Sequence, residues 1–129
     1  MPSFSETSLA HLGECHPQLQ KLFKTVGGLW DCTVLDGGRT LEEQAENVRK
    51  GVSKTMNSKH LLTPSWAVDV APYPINWEDS ESFYHFAGFV KGIAAAQGVR
   101  IRWGGDWDGD FQLHDQTFFD LPHFELLEE

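Results

Sequence analysis

No lysine or arginine follows Arg102, although residues 103–129 hold eight acids; over residues 1–102, eleven acids face ten bases. Without a basic stretch the chain lacks the footprint that nucleic-acid phosphates need, which argues against nucleic acid as a partner. A general acidic surface would spread its charge, so acid gathered at one end points to cation binding. No run approaches the ~20 apolar residues of a membrane span, and no membrane insertion is expected. Met1-Pro2-Ser3-Phe4-Ser5-Glu6 has neither a basic region nor an apolar core, so no signal peptide is expected. The only cysteines, Cys15 and Cys32, make no CxxC pair and no disulfide framework. Both are expected as reduced thiols in or near the core. Repeats, low-complexity segments and linkers are missing as well.

What is present fits one globular domain over residues 1–129, with 40% hydrophobic and 12% aromatic residues. A monomer is expected. Residues 5–27 read as helix in two pieces broken before Pro17, with Leu19, Leu22, Phe23 and Val26 on one apolar face and Gly27-Gly28 as the stop. Residues 30–35 alternate as a half-buried strand, and Asp36-Gly37-Gly38-Arg39 forms a turn. Thr40 and Glu43 make a capping box for a helix to about Lys50, with Leu41, Ala45 and Val48 inward. After a polar loop, Trp66–Val70 reads as a strand and Ala71-Pro72-Tyr73-Pro74 as a stiff connector. Asp79 or Ser80 caps the longest helix, which carries Phe83, Phe86, Ala87, Val90 and Ala94 on one stripe and ends before Gly98. His85 lies off that stripe and reads as structural. Strands follow at Val99–Trp103 and His123–Leu127. The order predicts an α+β fold, with helices packed on one side of a small, largely antiparallel sheet.

The chemistry starts between Ser58 and Asp69. A carboxylate at Asp69, between Val68 and Val70 on a buried strand, is costly unless something positive meets it. A metal ion shared with His60 would remove that cost; a surface histidine and an arginine-paired aspartate are the plainer reading. Asp120-Leu121-Pro122-His123-Phe124-Glu125 adds a partner. Pro122 fits the first position of a strand, and alternation puts His123 and Glu125 on one face. Two imidazoles and one carboxylate suit zinc, with a coordination place kept for an acidified water. Asp120, three residues before His123, sits where a general base would work.

Gly38-Arg39-Thr40, Gln44, Gly51-Val52-Ser53-Lys54-Thr55, Ser58-Lys59-His60, Ala67-Val68-Asp69, Trp103-Gly104-Gly105 and Asp120 to Glu125 occur in an order that resembles phage endolysins. The chain is similar, from about residue 30 onward, to L-alanyl-D-glutamate endopeptidases of the zinc peptidase group that includes D-Ala-D-Ala carboxypeptidases and the hedgehog fold. The resemblance implies zinc on His60, Asp69 and His123, with Asp120 as catalytic base. It implies that Arg39 steadies the oxyanion and that Ser53 and Ser58 are supporting hydrogen-bonders. The separation of nine from His60 to Asp69 exceeds the family's usual one, with Pro64-Ser65 in the extra space.

The implied activity is hydrolysis of the L-Ala–D-Glu bond in peptidoglycan stem peptides, by an enzyme made in the host cytoplasm and released to the cell wall. The alternatives are a D-Ala-D-Ala carboxypeptidase or dipeptidase and, in another class, a non-catalytic zinc-stabilised wall-binding domain. Asp106, Asp108 and Asp110 alternate in a glycine-rich loop, with Asp115 beyond. They resemble the start of a calcium-binding loop, although Phe111 and Thr117 depart from the EF-hand pattern. Calcium is therefore a candidate second cation beside zinc.

Overall fold

The computed structural model describes residues 4–50, 59–106, 109 and 120–127. Two helices open the chain, α1 (Glu6–Gly13) and α2 (Pro17–Leu29). Ser5 caps α1 by accepting from the Ser8 N–H, and His16 Nδ1 caps α2 by accepting from the Gln18 N–H. Pro17 takes a first-turn position, where its missing N–H costs nothing. Leu19, Leu22, Phe23 and Val26 are buried, as their spacing predicts. The helix runs through Gly27-Gly28 instead of stopping there. A Cβ on Gly27 would stand 2.4 Å from the Phe4 ring, so this glycine admits an aromatic side chain and does not end the helix.

Four strands, β1 (Cys32–Asp36), β2 (Ala67–Pro72), β3 (Ile101–Gly104) and β4 (Asp120–Leu126), form an antiparallel sheet in the order β1-β2-β4-β3. Helix α3 (Leu41–Arg49) follows β1, and α4 (Ser80–Gln97) joins β2 to β3. The α+β architecture expected from the sequence is the one found. Val34, Val70, Val68, Phe124 and Trp103 are register partners across the sheet and share one face. There they meet Leu19, Leu22 and Phe23 of α2 and Phe86, Ala87, Val90 and Ala94 of α4 in a continuous core. Each fully buried leucine or phenylalanine contributes on the order of 1.5–3 kcal/mol. The other face carries Asp69, His123, Glu125 and Arg102, polar groups that alternation sends away from the core.

Caps fix the helix ends. Thr40 and Glu43 close α3 reciprocally, and Asp79 caps α4, whose far end is Gly98 at φ 71°. Within α3 the sequence places Leu41, Ala45 and Val48 inward. The fully buried residue is instead Gln44; Ala45 and Val48 are half-buried, and the side chain of Leu41 lies outside the described set. Ala71 and Pro72 end β2 instead of forming the connector. His85 packs edge-on to Trp30 with ring centroids 4.8 Å apart, a structural role. Cys15 and Cys32 are free, buried thiols; burial first, and then nearby acids, push both up to about 12.

Strand β4 starts at Asp120, three residues ahead of the expected start at His123. Trp103 pairs with Phe124 but Gly104 pairs with Asp120, so the register jumps between them. Pro122 falls within this irregularity, where its absent N–H leaves no ladder bond unmade. Gly104 makes the jump possible, because a Cβ on it would stand 1.9 Å from the Asp120 carbonyl oxygen. Gly104→Ala is therefore expected to lower stability by about 1–3 kcal/mol, as overpacking does. Urea unfolding would show a lower midpoint; an unchanged midpoint would contradict the close approach.

Candidate metal centre

Asp69 sits at the centre of the polar face. Its register partner on β4 is His123, and its partner on β1 is Asp36. Like charges directly opposite across a strand pair repel, and Arg39 resolves the conflict. Its Nε donates to Asp36 Oδ2 at 2.6 Å, its Nη2 to Asp69 Oδ2 at 3.1 Å, and its Nη1 to Gln44 Oε1 at 2.8 Å. Arg39 thus pairs with Asp36 in the turn and at the same time stands beside Asp69. The buried Gln44 explains itself here as an anchor for the guanidinium.

His60 comes from a single 3-10 turn, Lys59–Leu61, and is 1% exposed. Its Nε2 stands 3.2 Å from Asp69 Oδ1, while its Nδ1 bonds the Gly37 carbonyl oxygen. The Arg39 N–H donates back to the His60 carbonyl at 2.8 Å. The extra Pro64-Ser65 segment is accommodated by stitching it to the α1–α2 junction. Ser65 N–H donates to Glu14 O at 2.9 Å and Ser65 O accepts from His16 N–H at 2.8 Å. His60 is thus held from both sides despite the longer loop.

His123 Nδ1 also lies 3.2 Å from Asp69 Oδ1, and its Nε2 lies 2.8 Å from Glu125 Oε1. The ligand-type atoms of His60, Asp69 and His123 all fall within 4.8 Å of one another, a group the described residues hold ready for a metal ion. Asp120 joins them with Oδ2 at 3.9 Å from His123 Nδ1. In an unbroken strand, residues three apart point to opposite faces. The register jump at Gly104 turns the Asp120 carboxylate onto the face of His123, as bulges beside active sites do.

The electrostatics follow from burial and close charges. Burial alone would raise the Asp69 carboxyl, but hydrogen bonds from His123 and His60 and their charge hold it well below the ordinary range. Burial opposes charge on His123, yet Asp69 and Glu125 overcome it and lift the imidazole to about 9. Asp120 is pushed up to about 6, first by burial and then by the Asp69 charge. Glu125 is held at about 2: burial raises it, and His123 and Arg102 more than offset that.

Of the other residues singled out in the sequence, Ser53, Ser58, Asp108, Asp110 and Asp115 lie outside the described residues. Asp106 is buried, with Oδ2 3.4 Å from Lys91 Nζ. The candidate calcium loop therefore rests on sequence alone. Glu125, Gln44 and the Gly37 carbonyl were not singled out as site residues. Glu125 is traceable through its alternation with His123, and Gln44 through its place among the residues that carry the family resemblance.

Comparison with known proteins meets this geometry from another side. The family described as phage L-alanyl-D-glutamate peptidase matches residues 2–127. The L-alanyl-D-glutamate peptidase of Escherichia phage T5 is 30% identical over 135 residues, covering 96% of this chain and 97% of that protein. The enzyme of the same name from Listeria phage A118 is 34% identical over 89 residues, 68% of this chain and 27% of that protein. The crystal structure of the Serratia marcescens L-Ala D-Glu endopeptidase ChiX superposes with a TM-score of 0.76 at 30% identity, covering 97% of this chain and 90% of that one.

The raised His123 imidazole has a consequence for the metal-free protein. The folded state holds this proton to about pH 9, whereas an ordinary histidine releases it near 6.5. The resulting stability is fully present below pH 6.5 and is lost as pH rises through 9. The melting temperature of chelator-treated protein is expected to fall across that window. A flat profile would contradict the Asp69–His123–Glu125 geometry.

Proposed function

Because the chain belongs to the phage L-alanyl-D-glutamate peptidase family, we propose that it hydrolyses the L-Ala–D-Glu bond of peptidoglycan stem peptides at the bacterial cell wall, using zinc held by His60, Asp69 and His123. The observation that carries this reading is the mutual approach of two imidazole nitrogens and one carboxylate oxygen within 4.8 Å. The donor set fits zinc. It holds nitrogen and oxygen only, and three protein ligands are the number usual in catalytic zinc sites, where structural sites use four. Each imidazole has its outward nitrogen engaged, one on Gly37 O and the other on Glu125 Oε1, as ligating histidines do.

Zinc bound there would polarise the scissile carbonyl and acidify the hydrolytic water. The chain's own residues do the rest. Asp120, at about 6, is mostly ionised at neutral pH yet basic enough to accept a proton from the attacking water. It then returns that proton to the amine nitrogen leaving from D-Glu. Its side chain is 33% exposed, so substrate and water reach it while Asp69 behind it stays covered. Arg39, held by three hydrogen bonds, is a fixed cation beside the set, suited to steady charge on the carbonyl oxygen.

The relatives' shared name favours L-Ala–D-Glu cleavage over D-Ala-D-Ala cleavage. A wall-binding domain without activity would have no use for a half-exposed carboxylate raised towards neutrality beside the metal set. Mass analysis of digested peptidoglycan is expected to reveal new amino-terminal D-Glu; release of free D-Ala instead would overturn the substrate assignment. Asp120→Asn is expected to keep stoichiometric zinc and the fold while hydrolysis falls by a factor of ~100 or more, the range for a lost general base. Retained turnover in that variant would assign the proton transfer to another group.

A further inference from the structure

Glu125 is an acid on a buried strand face, 5% exposed, and it makes three polar contacts of different kinds. Oε1 meets His123 Nε2 at 2.8 Å, while Oε2 meets Arg102 Nη2 at 2.8 Å and Lys59 Nζ at 3.2 Å. Lys59 Nζ also donates to the Leu126 carbonyl at 2.5 Å. Lys59 immediately precedes His60, so one ammonium ties the turn bearing one imidazole to the strand bearing the other. The two cations fix which carboxylate oxygen remains for His123. That oxygen can only accept, so it must receive the Nε2 proton.

We propose that Glu125, oriented by Lys59 and Arg102, is the positioning residue that makes Nδ1 the metal-facing nitrogen of His123. The inference rests on the zinc reading above and adds to it a ring orientation and a bracket. His60 is set the opposite way: its Nδ1 is taken by the Gly37 carbonyl and its Nε2 points to Asp69. The two imidazoles thus offer unlike nitrogens to one carboxylate oxygen, Asp69 Oδ1, from which each stands 3.2 Å. A ring flip at His123 would put a carbon, Cδ2, at that point and withdraw Nε2 from Glu125.

Glu125→Gln tests this with almost no change in shape. Arg102 and Lys59 need the amide oxygen, which leaves the NH2 group facing His123 Nε2, a donor where an acceptor stood. The variant is expected to fold and to bind zinc roughly 10- to 100-fold more weakly in chelator competition, the range for a lost outer partner of a metal-ligating histidine. Nitrogen-15 imidazole spectra of the zinc-loaded unsubstituted protein are expected to show His123 protonated at Nε2 and ligating through Nδ1. In metal-free Glu125→Gln the ring is expected to lose its Nε2 proton and keep the one Nδ1 gives to Asp69, a change that a merely structural role would not produce. Zinc on His123 Nε2 in the unsubstituted protein would overturn this proposal and leave the zinc site standing. Unchanged affinity in Glu125→Gln would do the same. An unsubstituted protein that takes up no zinc would overturn the zinc reading itself. Should Glu125→Gln fail to fold, the spectra of the unsubstituted protein still decide the orientation.

Discussion

A carboxylate in the middle of a buried strand is the constraint around which this molecule is arranged. Asp69 is 9% exposed and faces a second acid, Asp36, across the β1–β2 pair. An isolated ionised carboxylate in such a place would be too costly to keep. Three segments beside it relieve that cost. Arg39 arrives from the β1–α3 turn, His60 from the 3-10 turn and His123 from the neighbouring strand. Two of the groups that make the burial tolerable, His60 and His123, also complete the candidate metal-ligand set, so here the folding requirement and the proposed chemistry coincide.

Around that centre, rigidity comes from residues outside the candidate ligand set. Gln44 and Asp36 hold the guanidinium, the Gly37 carbonyl holds one imidazole, and Glu125 with its two cations holds the other. The opposite face of the same sheet is packed against α2 and α4 through Phe23, Phe86 and Phe124, whose rings meet edge-on. Neighbouring residues of β2 and β4 therefore serve two masters. Val68 and Phe124 anchor the strands in the core, and Asp69 and His123 hold the site on the other side. Side chains on a strand held this way have little freedom to drift, which suits ligands that must keep their mutual positions.

Much of this was legible in the residues. The α4 stripe of Phe83, Phe86, Ala87, Val90 and Ala94 is buried as its helical spacing predicts. The Thr40–Glu43 capping box forms in full, and alternation puts His123 and Glu125 on one face. What was not legible depends on contacts between segments distant in sequence. Gln44 stands among the residues that carry the family resemblance, but its part shows only once Arg39 is seen to need its oxygen. Gly27 reads as a helix stop until Phe4 is placed against it. The start of β4 could not be read from Pro122, because the register jump that tolerates the proline belongs to the pairing with β3 and to Gly104. That same jump aims Asp120, so nearness in sequence and the family resemblance point to the proposed base while only the sheet explains its position.

In the proposed site two imidazoles and one carboxylate, from three separate segments, share one zinc ion. X-ray absorption at the zinc edge of the purified protein tests it most directly. The expected spectrum is a shell of light donors with the multiple-scattering signature of two imidazoles and no sulfur. A sulfur shell from Cys15 or Cys32, or a signal without two histidines, would contradict it.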